Sequence, residues 1–257
     1  MSDIQLITPN WSAPANVVAF TSCRAGGHSS PPFDSLNVAQ HVGDNADQVE
    51  LNRQLLPNHQ NFSWLQQVHS NVCIDLPVHE HATLRADAAC TSEPQQVCAV
   101  MTADCLPLLV CNQQGTEVAA IHAGWRGLAD GIIENTVNKM HSQPDELLVW
   151  LGPAISQANF EVGEEVYQAF SVYPQAFIPS PTSTDKQPKY LADLYSIARA
   201  KLLQLGITQV SGAEYCTYQQ QSLFYSHRRA THQGQTTTGR MVSAIYLLEP
   251  DQKSVIL

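Results

Sequence analysis

Four short apolar runs constrain this chain more than any other feature. They are Val97 to Met101, Pro107 to Cys111, Val118 to Ile121 and Leu147 to Leu151, the last closed by Gly152-Pro153. Each is too short for a stable helix and reads as a buried strand. Between and after them the periodicity turns helical. Asp44 or Asn45 is placed to cap a helix running through Val49 and Leu55 and stopping before Pro57. After Gly127, the residues Ile132, Ile133, Val137 and Met140 fall at helical spacing. A further helix is expected over Glu164 to Phe170. Another is expected from about Leu191 to Leu205, with Leu194, Ile197, Ala198 and Leu202 on one face and Gly206 behind it as a C-cap. Met241 to Leu248 reads as a C-terminal strand, and Pro179 to Pro188 as a surface loop. Strict alternation of strand and helix is missing, and so are the GxGxxG and P-loop motifs. The expected fold is therefore α+β (mixed α/β), a layered sandwich of mixed β-sheets flanked by helices. It is expected to form a single domain over residues 1–257, neither a barrel nor a dinucleotide-binding fold.

Composition narrows the function classes. The chain has 257 residues, 44% hydrophobic and 14% charged, enough for a large core. Its net charge of -10 gives no counterion-release drive toward DNA or RNA, so no nucleic-acid partner is expected. No stretch approaches the ~20 apolar residues of a membrane span, and the N-terminus has no cationic, apolar leader. Seven scattered cysteines, an odd number without a CxxC pair, argue for free thiols and a cytoplasmic protein. Cys98 and Cys111 sit inside apolar runs and are expected to be small core residues. The sequence leaves the oligomeric state open.

Three segments carry chemistry. Gln67-Val68-His69 is the first. The second is Thr102-Ala103-Asp104-Cys105-Leu106-Pro107, lying between two strands. The third, His122-Ala123-Gly124-Trp125-Arg126-Gly127, leaves a strand and enters a helix. At the third, glycines let backbone approach a bound group, a helix N-terminus offers free N–H groups, and Arg126 offers a bidentate donor for phosphate or carboxylate. Cys105, at a strand end beside a carboxylate, is a sensible soft metal ligand. With His69 and His122 it would form a His2Cys set with an open fourth position. The spacing alone does not single these out from ten histidines and seven cysteines. Near the C-terminus, His227-Arg228-Arg229 and Thr238-Gly239-Arg240 concentrate cations in an acidic chain. They either bind an anion or pair with surface carboxylates.

Taken together, these segments resemble the YfiH-type family, whose members go by purine nucleoside phosphorylase, peptidoglycan editing factor, and multicopper polyphenol oxidase or laccase-domain protein. The matching pieces run nearly the whole length: Ser22 to Gly27, Leu36-Asn37-Val38, Val42-Gly43-Asp44, Asn52-Arg53, the three segments above, Leu151 to Ile155, Cys216-Thr217, the arginine pair and Thr238-Gly239-Arg240. The resemblance implies one Zn2+, rather than Cu2+, held by His69, Cys105 and His122. It also implies phosphorolysis of adenosine, inosine and methylthioadenosine, with deamination of adenosine to inosine by water activated at the open metal position. On that reading Cys105, Arg126 and Asp104 are the catalytic candidates. Arg24, Arg53, Arg126, Arg228, Arg229 and Arg240 are candidate substrate and phosphate contacts. Asp87 and Asp104 are candidate proton-transfer groups or partners that orient the histidines.

Two positions depart from the family pattern: Ser70 stands where glycine is usual, and His227 where tyrosine is usual. The rival readings are a metal-dependent hydrolase or editing factor for peptidoglycan precursors, a copper-dependent polyphenol oxidase, and a metal that only staples the fold. Multicopper oxidases need several histidine-rich sites, which a single His2Cys set does not supply.

Overall fold

The computed structural model describes residues 4–78 and 84–249. The four apolar runs are strands Val97–Thr102, Leu106–Asn112, Val118–Ala123 and Leu147–Leu151, and every residue in them is buried. They divide between two sheets. Val97–Thr102 belongs to a five-stranded sheet ordered Leu6–Ile7, Val17–Ser22, Met241–Leu247, Val97–Thr102, Phe62–Trp64. The other three lie in a six-stranded sheet ordered Gln209–Gly212, Leu147–Leu151, Leu106–Asn112, Val118–Ala123, Ala88–Thr91, Cys73–Asp75. Both sheets are mixed. Phe62–Trp64, Cys73–Asp75 and Gln209–Gly212 each pair in parallel with a neighbour, and the remaining pairings are antiparallel.

The packing explains why the runs are apolar at every position. Successive strand residues point to opposite faces. From Leu106–Asn112, Leu109 and Cys111 meet Cys98, Val100 and Ile245 between the two sheets. Leu108 and Val110 point the other way, into a layer with Ile132, Ile133, Val137 and Leu202 of the covering helices. Truncating a leucine such as Leu109 in so closed a layer costs about 2–5 kcal/mol. A third layer, with Phe20, Ala99, Met101 and Val242, covers the outer face of the five-stranded sheet. Cys98 and Cys111 are core residues as expected, and burial pushes the Cys111 thiol up to about 12 and that of Cys98 well above its usual range.

Several local boundaries differ from expectation. Asn45, not Asp44, caps helix Ala46–Gln54, its side chain accepting from the Gln48 N–H at 3.0 Å. The segment after His122 forms two short helices, Trp125–Ala129 and Ile132–Lys139, because Gly131 between them is left-handed at φ 88°. Leu191 lies within strand Lys189–Ala192, and the helix runs Leu194–Gln204 from an Asp193 cap that accepts from the Ser196 N–H. That strand joins Glu161–Gly163 and Phe177–Pro179 in a small third sheet. Residues 180–188 connect two of its strands, as the loop reading expects. Among the described residues no helix is long and apolar enough to cross a membrane.

Candidate metal centre

The site forms where the chain crosses from one sheet to the other. Thr102 ends a strand of the five-stranded sheet, and Leu106 opens a strand of the six-stranded one. Asp104, between them, takes a left-handed φ of 89°, a conformation that costs a non-glycine residue energy and persists only when its surroundings hold it. Its carboxylate accepts from Thr217 Oγ1 at 2.6 Å and from the Arg228 N–H at 2.7 Å. That anchoring turns Cys105 toward His122, which stands near the end of the adjacent strand opposite Pro107. His69 arrives from a loop, also left-handed at φ 60°. Gln67 pins that loop by mimicking a strand pair. Its amide donates to the Met101 carbonyl at 2.9 Å, and its Oε1 accepts from the Met101 N–H at 2.7 Å.

One ligand atom from each of His69, Cys105 and His122 lies within 4.8 Å of the others. Cys105 Sγ is 4.0 Å from His69 Nε2. The two imidazole rings meet edge to face with centroids 4.9 Å apart. Asp87 fixes both histidines. Its Oδ1 accepts from His122 Nδ1 at 2.8 Å and from the His69 N–H at 3.0 Å. Its Oδ2 accepts from the Val68 and Ser70 N–H groups, and from Ser70 Oγ at 2.7 Å. Ser70 thus adds to the Asp87 cradle a hydroxyl that a glycine would lack.

The charges follow this geometry. Burial opposes ionisation of Cys105, but the His122 and His69 rings beside it outweigh burial and bring the thiol to about 6. Burial likewise opposes a charged His122, and Cys105 and Asp87 reverse that, lifting it to about 9. Burial would raise the Asp87 carboxyl, but the bonds from His122 and Ser70 hold it at about 2.

A soft thiolate with two imidazoles, one of them oriented by a carboxylate, fits a divalent metal that keeps one position open. Glycine at position 124 eases this close approach. A Cβ there would stand 3.1 Å from both Cys105 Sγ and His69 Cδ2.

Two cavities meet at Cys105. One, of about 210 Å³, is lined by His41, Gln67, Thr102 and Arg240 together with the three candidate ligand residues. The other, of about 120 Å³, is mostly apolar, with Trp125, Ile155, Phe160, Leu194 and Arg228 in its wall. His227 and Ala103 border both. Asp104 lines the apolar cavity but makes no hydrogen bond to either candidate histidine, so of the two carboxylates only Asp87 contacts them.

The structure separates the six candidate arginines. Arg240 and Arg228 line the cavities; the other four do not. Arg126 is exposed and lies over the Trp125 ring at 4.3 Å. Arg24 pairs with Asp34, and Arg53 stacks on Trp64 while donating to the Val38 carbonyl. Arg229 is buried, its guanidinium engaged by the carbonyls of Thr217, Tyr218 and Phe224. Sequence reasoning assigned no role to His41, Thr102, Trp125 or Phe160. Thr102 and Trp125 lie inside recognised motifs, whereas His41 and Phe160 carry no local signal.

A sandwich of mixed sheets that gathers two imidazoles and a thiol at one crossover defines a metal-binding fold with a single candidate centre among the described residues. The chain belongs to the family described as multi-copper polyphenol oxidoreductase laccase, whose model matches residues 18–248. It is 47% identical to the purine nucleoside phosphorylase YfiH of Escherichia coli K12, over 95% of this chain and 99% of that relative. It is 44% identical to a purine nucleoside phosphorylase of Haemophilus influenzae, again over 95% and 99%. Among solved structures, the Neisseria meningitidis protein NMB0706 superposes with a TM-score of 0.87 at 41% identity, covering 95% of this chain and 99% of that one. YlmD from Geobacillus stearothermophilus superposes at 0.81 with 30% identity, covering 97% and 100%. The family and the layered fold expected from the sequence are thereby established.

Proposed function

We propose that this chain is a zinc-dependent purine nucleoside phosphorylase acting on adenosine, inosine and methylthioadenosine, which also deaminates adenosine. The observation that carries this reading is the meeting of two chemically different cavities at Cys105. The apolar one, walled by Trp125 and Phe160, suits a flat purine. The other carries Arg240 and His41 and has no carboxylate in its lining, which suits phosphate. The glycosidic carbon then sits between them, beside the His2Cys set. Relatives named purine nucleoside phosphorylase support the same assignment.

In phosphorolysis a phosphate oxygen bonds to C1′ as the bond from C1′ to the purine nitrogen breaks. The electron pair leaves on the purine, which takes up a proton. Arg240 holds the phosphate, Trp125 and Phe160 hold the base, and His227, bordering both cavities, stands where it can give the purine its proton. His69, Cys105 and His122 would hold the Zn2+, which supplies Lewis acidity when bound. Asp87 keeps His122 in the tautomer whose Nε2 faces the site. Deamination exchanges the 6-amino group for an oxygen from water and releases ammonia. A cytoplasmic location accords with seven free thiols.

The copper-oxidase reading asks for several histidine-rich centres, and the described residues supply one three-ligand group. The test is a nucleoside panel with and without inorganic phosphate, with products separated by chromatography. Free purine and ribose 1-phosphate formed only with phosphate support the proposal. Turnover of muropeptide precursors with no nucleoside turnover would replace it with the editing-factor reading.

A further inference from the structure

Thr102 is 1% exposed, and its hydroxyl has no hydrogen-bond partner. Leaving a buried hydroxyl unpaired costs about 1–3 kcal/mol. Other buried hydroxyls of the same sheet avoid that cost: Thr21 and Ser243 bond to each other at 2.7 Å. Among the described residues one other buried side-chain atom is unpaired, Glu134 Oε2, and that carboxylate already takes Lys201 through its second oxygen. Among the described residues Thr102 is therefore the one buried polar side chain with no hydrogen-bond partner, and it lines the cavity beside the candidate metal ligands.

The rest of that cavity tells what would satisfy it. Arg240 Nη1 donates to the Thr238 and Gly239 carbonyls, which fixes the guanidinium plane. Its Nε and Nη2 make no hydrogen bond to a described residue. His41 and His227 add imidazoles, while the Gln67 amide bonds Met101 through one N–H and its oxygen. No Asp or Glu faces the space. The groups left over are mainly donors, so the ligand that fits is rich in acceptors and anionic.

We propose that this cavity is an oxyanion subsite in which the Thr102 hydroxyl and the free edge of Arg240 donate to inorganic phosphate. The inference rests on the phosphorolysis reading for the identity of the anion, and on the orphaned hydroxyl for its place. It makes Thr102 a substrate-binding residue.

The test uses the zinc-loaded full chain with inorganic phosphate as probe, comparing the parent with Thr102→Val, Thr102→Ser and Arg240→Met. Valine replaces the hydroxyl with a methyl group of similar size. Thr102→Val is expected to melt at or above the parent temperature without phosphate, since an unpaired hydroxyl has gone. It should lose the rise in melting temperature that phosphate gives the parent, and its KM for phosphate should rise about tenfold, the loss of one hydrogen bond to a charged ligand. Its KM for inosine should stay within about twofold, Thr102→Ser should restore phosphate binding, and Arg240→Met should weaken it further.

A raised inosine KM with an unchanged phosphate KM would overturn the proposal in favour of a sugar contact. Unchanged values for both would mean that the hydroxyl holds only water, and would also overturn it. If phosphate shifts the melting temperature in a Thr102-dependent way while no nucleoside is cleaved, the subsite stands and the phosphorolysis reading fails. If nucleosides are cleaved with a phosphate KM indifferent to Thr102, the reading stands and the subsite falls.

Discussion

Asp87 accepts a 2.8 Å hydrogen bond from His122 Nδ1. The same buried carboxylate holds the backbone of His69, so one side chain sets two of the three candidate metal ligands. Asp87 immediately precedes strand Ala88–Thr91, which pairs with the strand carrying His122, and the His122 N–H donates to the Asp87 carbonyl at 2.7 Å. Sheet pairing thus sets the distance between carboxylate and imidazole.

Replacing Asp87 with Asn should therefore lower zinc affinity by about 10–100-fold without changing the ligands themselves. Competition against a chromophoric chelator measures this. Affinity equal to the parent's would show that the carboxylate does not orient the site.

The Asp87 carboxyl lies at about 2 in the folded chain, against an ordinary 3.8. A folded value below the unfolded one contributes stability that is present above pH 4 or so and lost as the pH falls toward 2. The contribution is on the order of 2 kcal/mol. Urea unfolding of metal-stripped protein between pH 5 and 2 should show the parent losing more stability than Asp87→Asn across that window. Parallel curves for the two proteins would contradict it.

Cys105 at about 6, against an ordinary 9, predicts a reactive thiolate in metal-stripped protein. Iodoacetamide should label Cys105 with a midpoint near pH 6, and added Zn2+ should block the labelling. Cys98 and Cys111 should stay unlabelled in the folded protein because they are buried and their thiols are pushed up. Mass spectrometry of peptides reads this directly. Cys105→Ala and His122→Ala should each lose both metal and nucleoside turnover; turnover persisting in zinc-free variants would make the metal incidental.

Arg126 reaches the apolar cavity only through the Trp125 ring on which it lies. Arg126→Ala should raise the nucleoside KM by a few-fold, as expected for an exposed cation–π contact of about 0.5–1 kcal/mol, and leave the phosphate KM unchanged. Trp125→Ala should raise the nucleoside KM more. Steady-state kinetics with each substrate varied in turn would separate these outcomes, and a phosphate KM raised by Arg126→Ala would return that residue to a phosphate role.

Gly124→Ala places a methyl group 3.1 Å from Cys105 Sγ and His69 Cδ2. Zinc content after dialysis is expected to fall well below one per chain while the far-ultraviolet circular dichroism is retained. Full occupancy would mean that the loop carrying His69 can give way.

The sequence by itself determined the central apolar strands and pointed to the candidate ligand set. The run Pro107 to Cys111 is apolar at every position because both faces of its strand are covered. The motifs around His69, Cys105 and His122 carry a candidate ligand set that composition alone could not select. What only the tertiary structure decided is what each polar side chain meets. Asp104 is the sequence neighbour of Cys105, yet its left-handed backbone turns its carboxylate toward Thr217 and Arg228, more than a hundred residues away. Arg229 and Arg240 look alike in sequence. Three carbonyls engage Arg229 in the interior, while Arg240, bonded through Nη1 alone, lines a cavity. A hydrophobic pattern is local because strand and helix periods repeat along the chain. The partner of a hydrogen-bonding group is set by which distant segments the core brings together, and no local period encodes it.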